Sequence, residues 1–387
     1  MANYFTGSTT KNAVGYKCGE TIRFELQLVH DGRPMSCPLF RWDIFGDDGR
    51  ESHGIAPGES GRLTLETSIG CPGFVHVIVT ACEPDLRPLD GIDKFEGGAG
   101  AELDRIGQGI DDPADFDEFW AKQLSRLDEV PPAVLEKREI DSGDPDYIAY
   151  DLKLACVGDM PVSGILTLPR GAAKGSLRAR LGFHGYGYSP ADVNRVPGAM
   201  FFRVNIHGFE NQREQAYYDE FAKAHPGFGF SRSENQSPED CYFLNVVLRD
   251  IQAARFLSTL PEYDGGGLWL EGGSMGAMQA VSTAAHIDNA AGLNIFIPWL
   301  CDLGGIRRGR LRGWRPELDA GLMYFDTAIQ AKRVKCPVEI KCGLGDYVCP
   351  PSGEVVLWHN FSTEKKITFV QNMTHPYRPP EEISYQL

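Results

Sequence analysis

Residues 268–286 read LWLEGGSMGAMQAVSTAAH, and this stretch decides the architecture. An apolar strand runs into Gly272, Gly273, Ser274, Met275 and Gly276, and then into an Ala-rich helical run. Strand, sharp turn and helix around G-x-S-x-G form the setting in which a serine becomes a nucleophile. The hydroxyl must project from a strained turn, so its neighbours must be small. Gly272 and Gly276 are expected to let strand and helix approach closely. The N–H of Met275, at the helix N-terminus, would point to where an oxyanion forms. The alternative reading of the pentapeptide is a Gly-rich turn with Ser274 as an ordinary N-cap.

A nucleophile of this kind requires an acid and then a base, each just after a later strand. KCPVEIKCGLGDYVCPP (335–351) places Asp346 directly after a strand. KITFVQNMTHPYRPP (366–380) places His375 just after the final expected strand. His375 would take the proton from Ser274, and Asp346 would orient the imidazole. The second oxyanion donor is expected from LGFHGYGYSP (181–190), as the N–H of Tyr186. His184, in the same loop, is the rival base, but it precedes the serine.

Around these motifs strands and helices alternate from about residue 147 onward. YIAYDLKLACV and VSGILTLPRG read as a leading hairpin. Later strands are ARLGFHGYG, AMFFRVNIHG, GGLWLEGG, GLNIFIP, PVEIKCGLGD and KITFVQNMTH, with CYFLNVVLRDIQAARFLSTL as the longest helix between them. This alternation predicts a doubly wound, mostly parallel sheet covered on both faces. The N-terminal part has another rhythm. TIRFELQLV, LFRWDIFG, RLTLETSIG and GFVHVIVTA are short strands with no helix between them, which predicts a small antiparallel, immunoglobulin-like β-sandwich. The expected organisation is a sandwich over 1–93, a Gly-rich linker over 94–110 and a catalytic α/β domain over 111–387. Asp112 followed by Pro113 predicts the start of that domain's first helix.

Composition narrows the function classes. The 387 residues carry a formal charge of −15, which disfavours phosphate backbones and nucleic-acid partners. No run approaches 18 apolar residues, so no membrane span is expected. The ten cysteines form no CxxC pair and no zinc spacing, and are expected as mostly buried free thiols. No metal or organic cofactor is implied. MANYFTGSTTKN lacks a basic stretch followed by an apolar run. A cytoplasmic location is therefore expected, with a processed secreted form as the alternative.

Over residues 110–380 the chain resembles carbohydrate esterase family seven, the acetyl xylan esterases and cephalosporin C deacetylases. The resemblance is carried by DFDEFW, FHGYGYSP, DCYFLNVVLRDIQAARFL, GGSMGA, IPWLCDL and YFDTAIQAKRVKCPVEIKCGLGDYVCPPS. It implies an α/β-hydrolase fold, removal of acetyl groups from sugars, and a homo-oligomer, often a hexamer. It assigns Ser274, Asp346 and His375 to a triad, and Tyr186 and Met275 to the oxyanion hole. The chain departs from the family's usual pattern in three places. Met275 stands where the family has Gln, His207-Gly208-Phe209 replaces Arg-Gly-Gln, and His375-Pro376 replaces His-Glu.

Trp299 abuts IPWLCDL and is a candidate pocket wall, alongside Tyr186 and Met275. GGIRRGRLRGWRPELD (304–319) carries Arg307, Arg308, Arg310, Arg312 and Arg315 in an acidic protein. Arg308 and Arg310 are candidates for holding an anionic sugar; a solvated face or subunit contact is the competing reading. The expected activity is serine-esterase deacetylation of acetylated carbohydrate. The alternatives are a larger-acyl esterase or peptidase on the same fold, and an inert glycan-binding or assembly protein.

Overall fold

The computed structural model describes residues 3–387. Eight strands come first: β1 (Asn3–Thr9), β2 (Ile22–His30), β3 (Arg33–Pro34), β4 (Leu39–Gly46), β5 (Glu51–Pro57), β6 (Arg62–Thr67), β7 (Gly73–Cys82) and β8 (Phe95–Ala101). They form two four-stranded antiparallel sheets, β1-β2-β3 with β6 on β2, and β5-β4-β7-β8. Ile22, Phe24, Leu26 and Leu28 alternate along β2 and are all buried, as the period of two demands. Phe5 of β1 meets Phe40 of β4 with ring centroids 5.7 Å apart, so the two sheets share an interior.

The expected Gly-rich linker is corrected by β8. FEGGAGA pairs along β7 from Val79↔Phe95 to Gly73↔Ala101 and is almost wholly buried. Its glycines serve close packing. A Cβ on Gly97 would lie 2.1 Å from Gln371 Oε1, and one on Gly98 only 2.4 Å from the Val75 carbonyl. The β-rich part thus runs to Ala101, and one apolar core continues from it into the rest of the chain. Phe74 of β7 packs on Phe369 at 5.7 Å.

The remaining strands are β9 (Val134–Ile140), β10 (Tyr147–Leu154), β11 (Val162–Pro169), β12 (Leu177–Phe183), β13 (Ala199–Asn205), β14 (Tyr263–Gly273), β15 (Ala290–Phe296), β16 (Val338–Gly343), β17 (Lys365–Val370) and β18 (Ser384–Gln386). They build one sheet in the order β18-β17-β16-β15-β14-β12-β13-β11-β10-β9. The six strands from β13 to β17 are parallel neighbours, and the outer strands are antiparallel. Helices α1 (Phe116–Asp128), α2 (Gln215–Ala224), α3 (Tyr242–Leu257), α4 (Met275–Ala285), α5 (Thr327–Gln330) and α6 (Pro351–Asn360) complete the fold. Strand order reverses between β12 and β14, and such a switch point opens a crevice at the carboxyl ends of the strands.

Two local expectations change. Helix α1 starts later than Asp112 and has Asp115 as its N-cap. The Asp112 carboxylate is instead taken by Gln108 at 2.9 Å, Lys332 at 2.7 Å and Arg333 at 3.2 Å. Strand β9 was not expected because VLEKREI is charged and exposed, as suits a sheet edge. Among the described residues no helix is long and apolar enough to cross a membrane, and all ten cysteines are free.

Candidate active site

Ser274 sits between β14 and α4 at φ 55° and ψ −123°, a conformation that L-residues rarely adopt. Strand and helix hold it there. Its N–H donates to the Phe296 carbonyl at 2.9 Å, and its own carbonyl accepts from Trp299 N at 3.2 Å. Gly272 and Gly276 make the turn feasible. A Cβ on Gly272 would lie 2.3 Å from the Gly276 carbonyl oxygen, and one on Gly276 2.5 Å from that of Phe183.

Asp346 lies in the loop after β16 and is completely buried. One carboxylate oxygen accepts the N–H groups of Val348 and Cys349, both at 3.0 Å. The other lies 2.9 Å from Nδ1 of His375, in the loop after β17. This pairing orients the ring and leaves Nε2 as the atom able to take a proton. The structure therefore brings Asp346 and His375 together, at the same edge of the sheet as Ser274.

Cys349 is a neighbour that the sequence reading treated only as a buried thiol. It lies within hydrogen-bonding reach of the Ser274 side chain, and burial pushes its pKa up, so the thiol stays neutral. Its sulfur, one Asp346 oxygen and one His375 nitrogen all lie within 4.8 Å of one another. This set could ligate a soft metal, but its acid–imidazole contact is already satisfied by a hydrogen bond.

The loop after β12 lies beside the serine. A Cβ on Gly185 would stand 3.8 Å from Ser274 Cβ. Tyr186 is fixed by its hydroxyl, which donates to the Phe228 carbonyl at 2.8 Å, and by its ring, stacked on Phe228 at 4.0 Å. Met275 opens α4, so its N–H has no carbonyl partner inside the helix. His184 is part-buried, its pKa is lowered to about 4 by desolvation, and its Nδ1 faces the Gly185 carbonyl. Asp346 pairs with His375 instead, which removes the case for His184 as base.

Trp299, expected as a pocket wall, is only 1% exposed and supports the elbow from behind. The arginine cluster largely dissolves as a binding patch. Arg310 is paired with buried Asp302 and bonded to the Gly107 carbonyl. Arg315 is buried against the carbonyls of Cys301 and Asp302. Arg308 is exposed at the end of a 3₁₀ turn, Leu303–Arg308. Around Tyr186, Trp299 is joined by three aromatic residues that the sequence did not assign: Phe228, Phe230 and Trp314.

The N-terminal sheets reach the loops that carry Asp346 and His375. His76 of β7 stacks on Tyr347 at 3.6 Å and bonds Glu96 at 3.1 Å. A Cβ on Gly345 would lie 1.8 Å from the Glu96 carbonyl. Gln371 bonds the N–H and carbonyl of Gly98 at 2.9 and 3.0 Å, and Asn372 accepts the Glu96 N–H at 2.9 Å.

The sequence profile of the acetyl xylan esterases matches residues 102–308 and 316–385. An acetyl esterase of Xylanibacter ruminicola, Axe7A, is 24% identical over 372 residues, covering 91% of this chain and 82% of its own. Acetyl xylan esterase 1 from Thermoanaerobacterium sp. JW/SL YS485 superposes with a TM-score of 0.58 at 22% identity, covering 72% of this chain and 93% of its own. The acetyl xylan esterase from Paenibacillus sp. R4 does so at 0.57 and 19%, covering 72% and 94%. The two structural likenesses are likenesses of fold.

Proposed function

Because the chain belongs to the acetyl xylan esterase family, and so is a carboxylic ester hydrolase, we propose that it removes acetyl groups from carbohydrate through a Ser274–His375–Asp346 triad. The fold is that of the α/β-hydrolase esterases, with additional antiparallel sheets at the N-terminus. The observation that carries the proposal is a convergence at one end of the sheet. There a serine on a strained turn and an imidazole oriented by a buried carboxylate lie in loops at the same edge of the sheet.

In this reading His375 Nε2 takes the proton as Ser274 Oγ attacks the acetyl carbonyl. The oxyanion that forms is held by the N–H groups of Met275 and Tyr186. As the ester C–O bond breaks, His375 gives its proton to the departing sugar oxygen, leaving an acetyl-Ser274 ester that water cleaves by the same steps to release acetate. Asp346 orients the imidazole and is itself held by two backbone N–H groups. Besides the ester and water, the steps use only groups of the chain itself.

Ser274→Ala is expected to abolish hydrolysis of p-nitrophenyl acetate and of acetylated xylo-oligosaccharide, and to block labelling by a fluorophosphonate probe. Activity retained in that variant would refute the assignment. A series from acetyl to butyryl and longer esters tests the acyl group: a steep fall beyond acetyl is expected. A preference for long chains or for peptides would sink the deacetylase reading.

A further inference from the structure

We propose that Trp314 is a stacking platform for a pyranose ring of the acetylated sugar, a subsite on the alcohol side of the ester. It rests on the reading of the chain as a sugar deacetylase and adds a recognition element to it.

Four observations support the platform. Trp314 is 44% exposed, so a face of its indole is open to a ligand. It stands beside the catalytic centre: its ring meets Tyr186 edge-on at 4.9 Å, and Phe230 and Trp299 at 4.7 and 5.7 Å. Tyr186 adjoins Gly185, which packs against Ser274.

The segment that carries the ring is also held in place. The Trp314 backbone N–H donates to the Val348 carbonyl at 3.1 Å, two residues from Asp346. Its carbonyl accepts the Trp299 indole N–H at 2.6 Å. Upstream, Leu311 N donates to buried Asp47 of the N-terminal sheets at 2.9 Å. A platform anchored at both ends loses little freedom when a ligand arrives.

Finally, residues 309–315 fall between the two matched parts of the family profile, so this chain carries Trp314 on a segment outside it. An indole face is a broad surface with a negative quadrupole. The axial C–H bonds of a pyranose are weakly positive, apolar and equally flat, and so complement it. Met275 and Trp299 are buried, whereas Trp314 opens to solvent, where the alcohol would leave.

The test combines kinetics with a binding titration. The readout is kcat/KM on an acetylated xylo-oligosaccharide divided by kcat/KM on p-nitrophenyl acetate. Trp314→Ala should lower this ratio about tenfold through the sugar's KM, and Trp314→Phe should restore most of it. Trp269→Ala removes another exposed indole, on β14, and should keep the wild-type ratio. Unacetylated xylotetraose should change wild-type tryptophan emission saturably, and Trp314→Phe should remove that change. An unmoved ratio in Trp314→Ala, or no emission change in the wild type, overturns the platform while acetate release leaves the deacetylase standing. Hydrolysis of p-nitrophenyl acetate without release from any sugar overturns both.

Discussion

Ser274, Asp346 and His375 could be found in the sequence because each is marked by what immediately surrounds it. Small residues flank the first, and a strand runs into each of the other two. Cys349 and Trp314 carry no such mark; their place beside the site depends on how two loops pack. The same holds for the histidines. Burial lowers His184 to about 4, His207 to about 3 and His286 to about 4. In the unfolded chain each titrates near 6.5. Between that value and the folded ones the unfolded chain binds protons that the native state refuses. Their contribution is therefore complete above pH 6.5 and is lost as pH falls toward 4 and below. Urea unfolding at pH 7.5 and pH 5 should show a loss on the order of 2 kcal/mol per histidine. His207→Gln, which can still reach the Gly187 carbonyl and the Tyr242 hydroxyl, should flatten that slope. A slope unchanged by the substitution would contradict the neutral, buried state.

At the scale of elements, period-two alternation located β2, β4, β6 and β7, and apolar runs located the parallel strands. Charged β9 and Gly-rich β8 were missed because neither carries an apolar rhythm. β8 is held by backbone pairing with β7 and by side chains from the loop after β17, information that its own residues do not contain. The strand–helix contact at the elbow was readable, since only glycine suits it. Gly276→Ala forces a methyl toward the backbone carbonyl of Phe183, 2.5 Å away, where no side chain can yield. The variant should lose about 1–3 kcal/mol of stability and much of its kcat. A thermal melt together with kcat on p-nitrophenyl acetate would check this, and a wild-type melt would refute the close contact.

At the scale of the whole molecule, the N-terminal sheets brace the site and share its core. His76 stacks on Tyr347, the residue after Asp346, and β8 holds the loop that leads to His375. His76→Ala should therefore lower kcat several-fold while moving KM much less, because the acid loop loses its support and the substrate contacts remain. Steady-state kinetics on p-nitrophenyl acetate would show it; unchanged kcat would mean that the sheets are mere neighbours.

The sequence by itself determined most of the strands and helices, the turn that carries Ser274, and the loop positions of Asp346 and His375 after it. Each is written in residues adjacent along the chain, where periodicity and backbone sterics act. Only the tertiary structure decided that Asp47 anchors Leu311, His76 supports Tyr347 and Gly98 meets Gln371. These partners are more than 200 residues apart. A local pattern states that a face will be buried; which distant face covers it is settled by the packing of the whole chain.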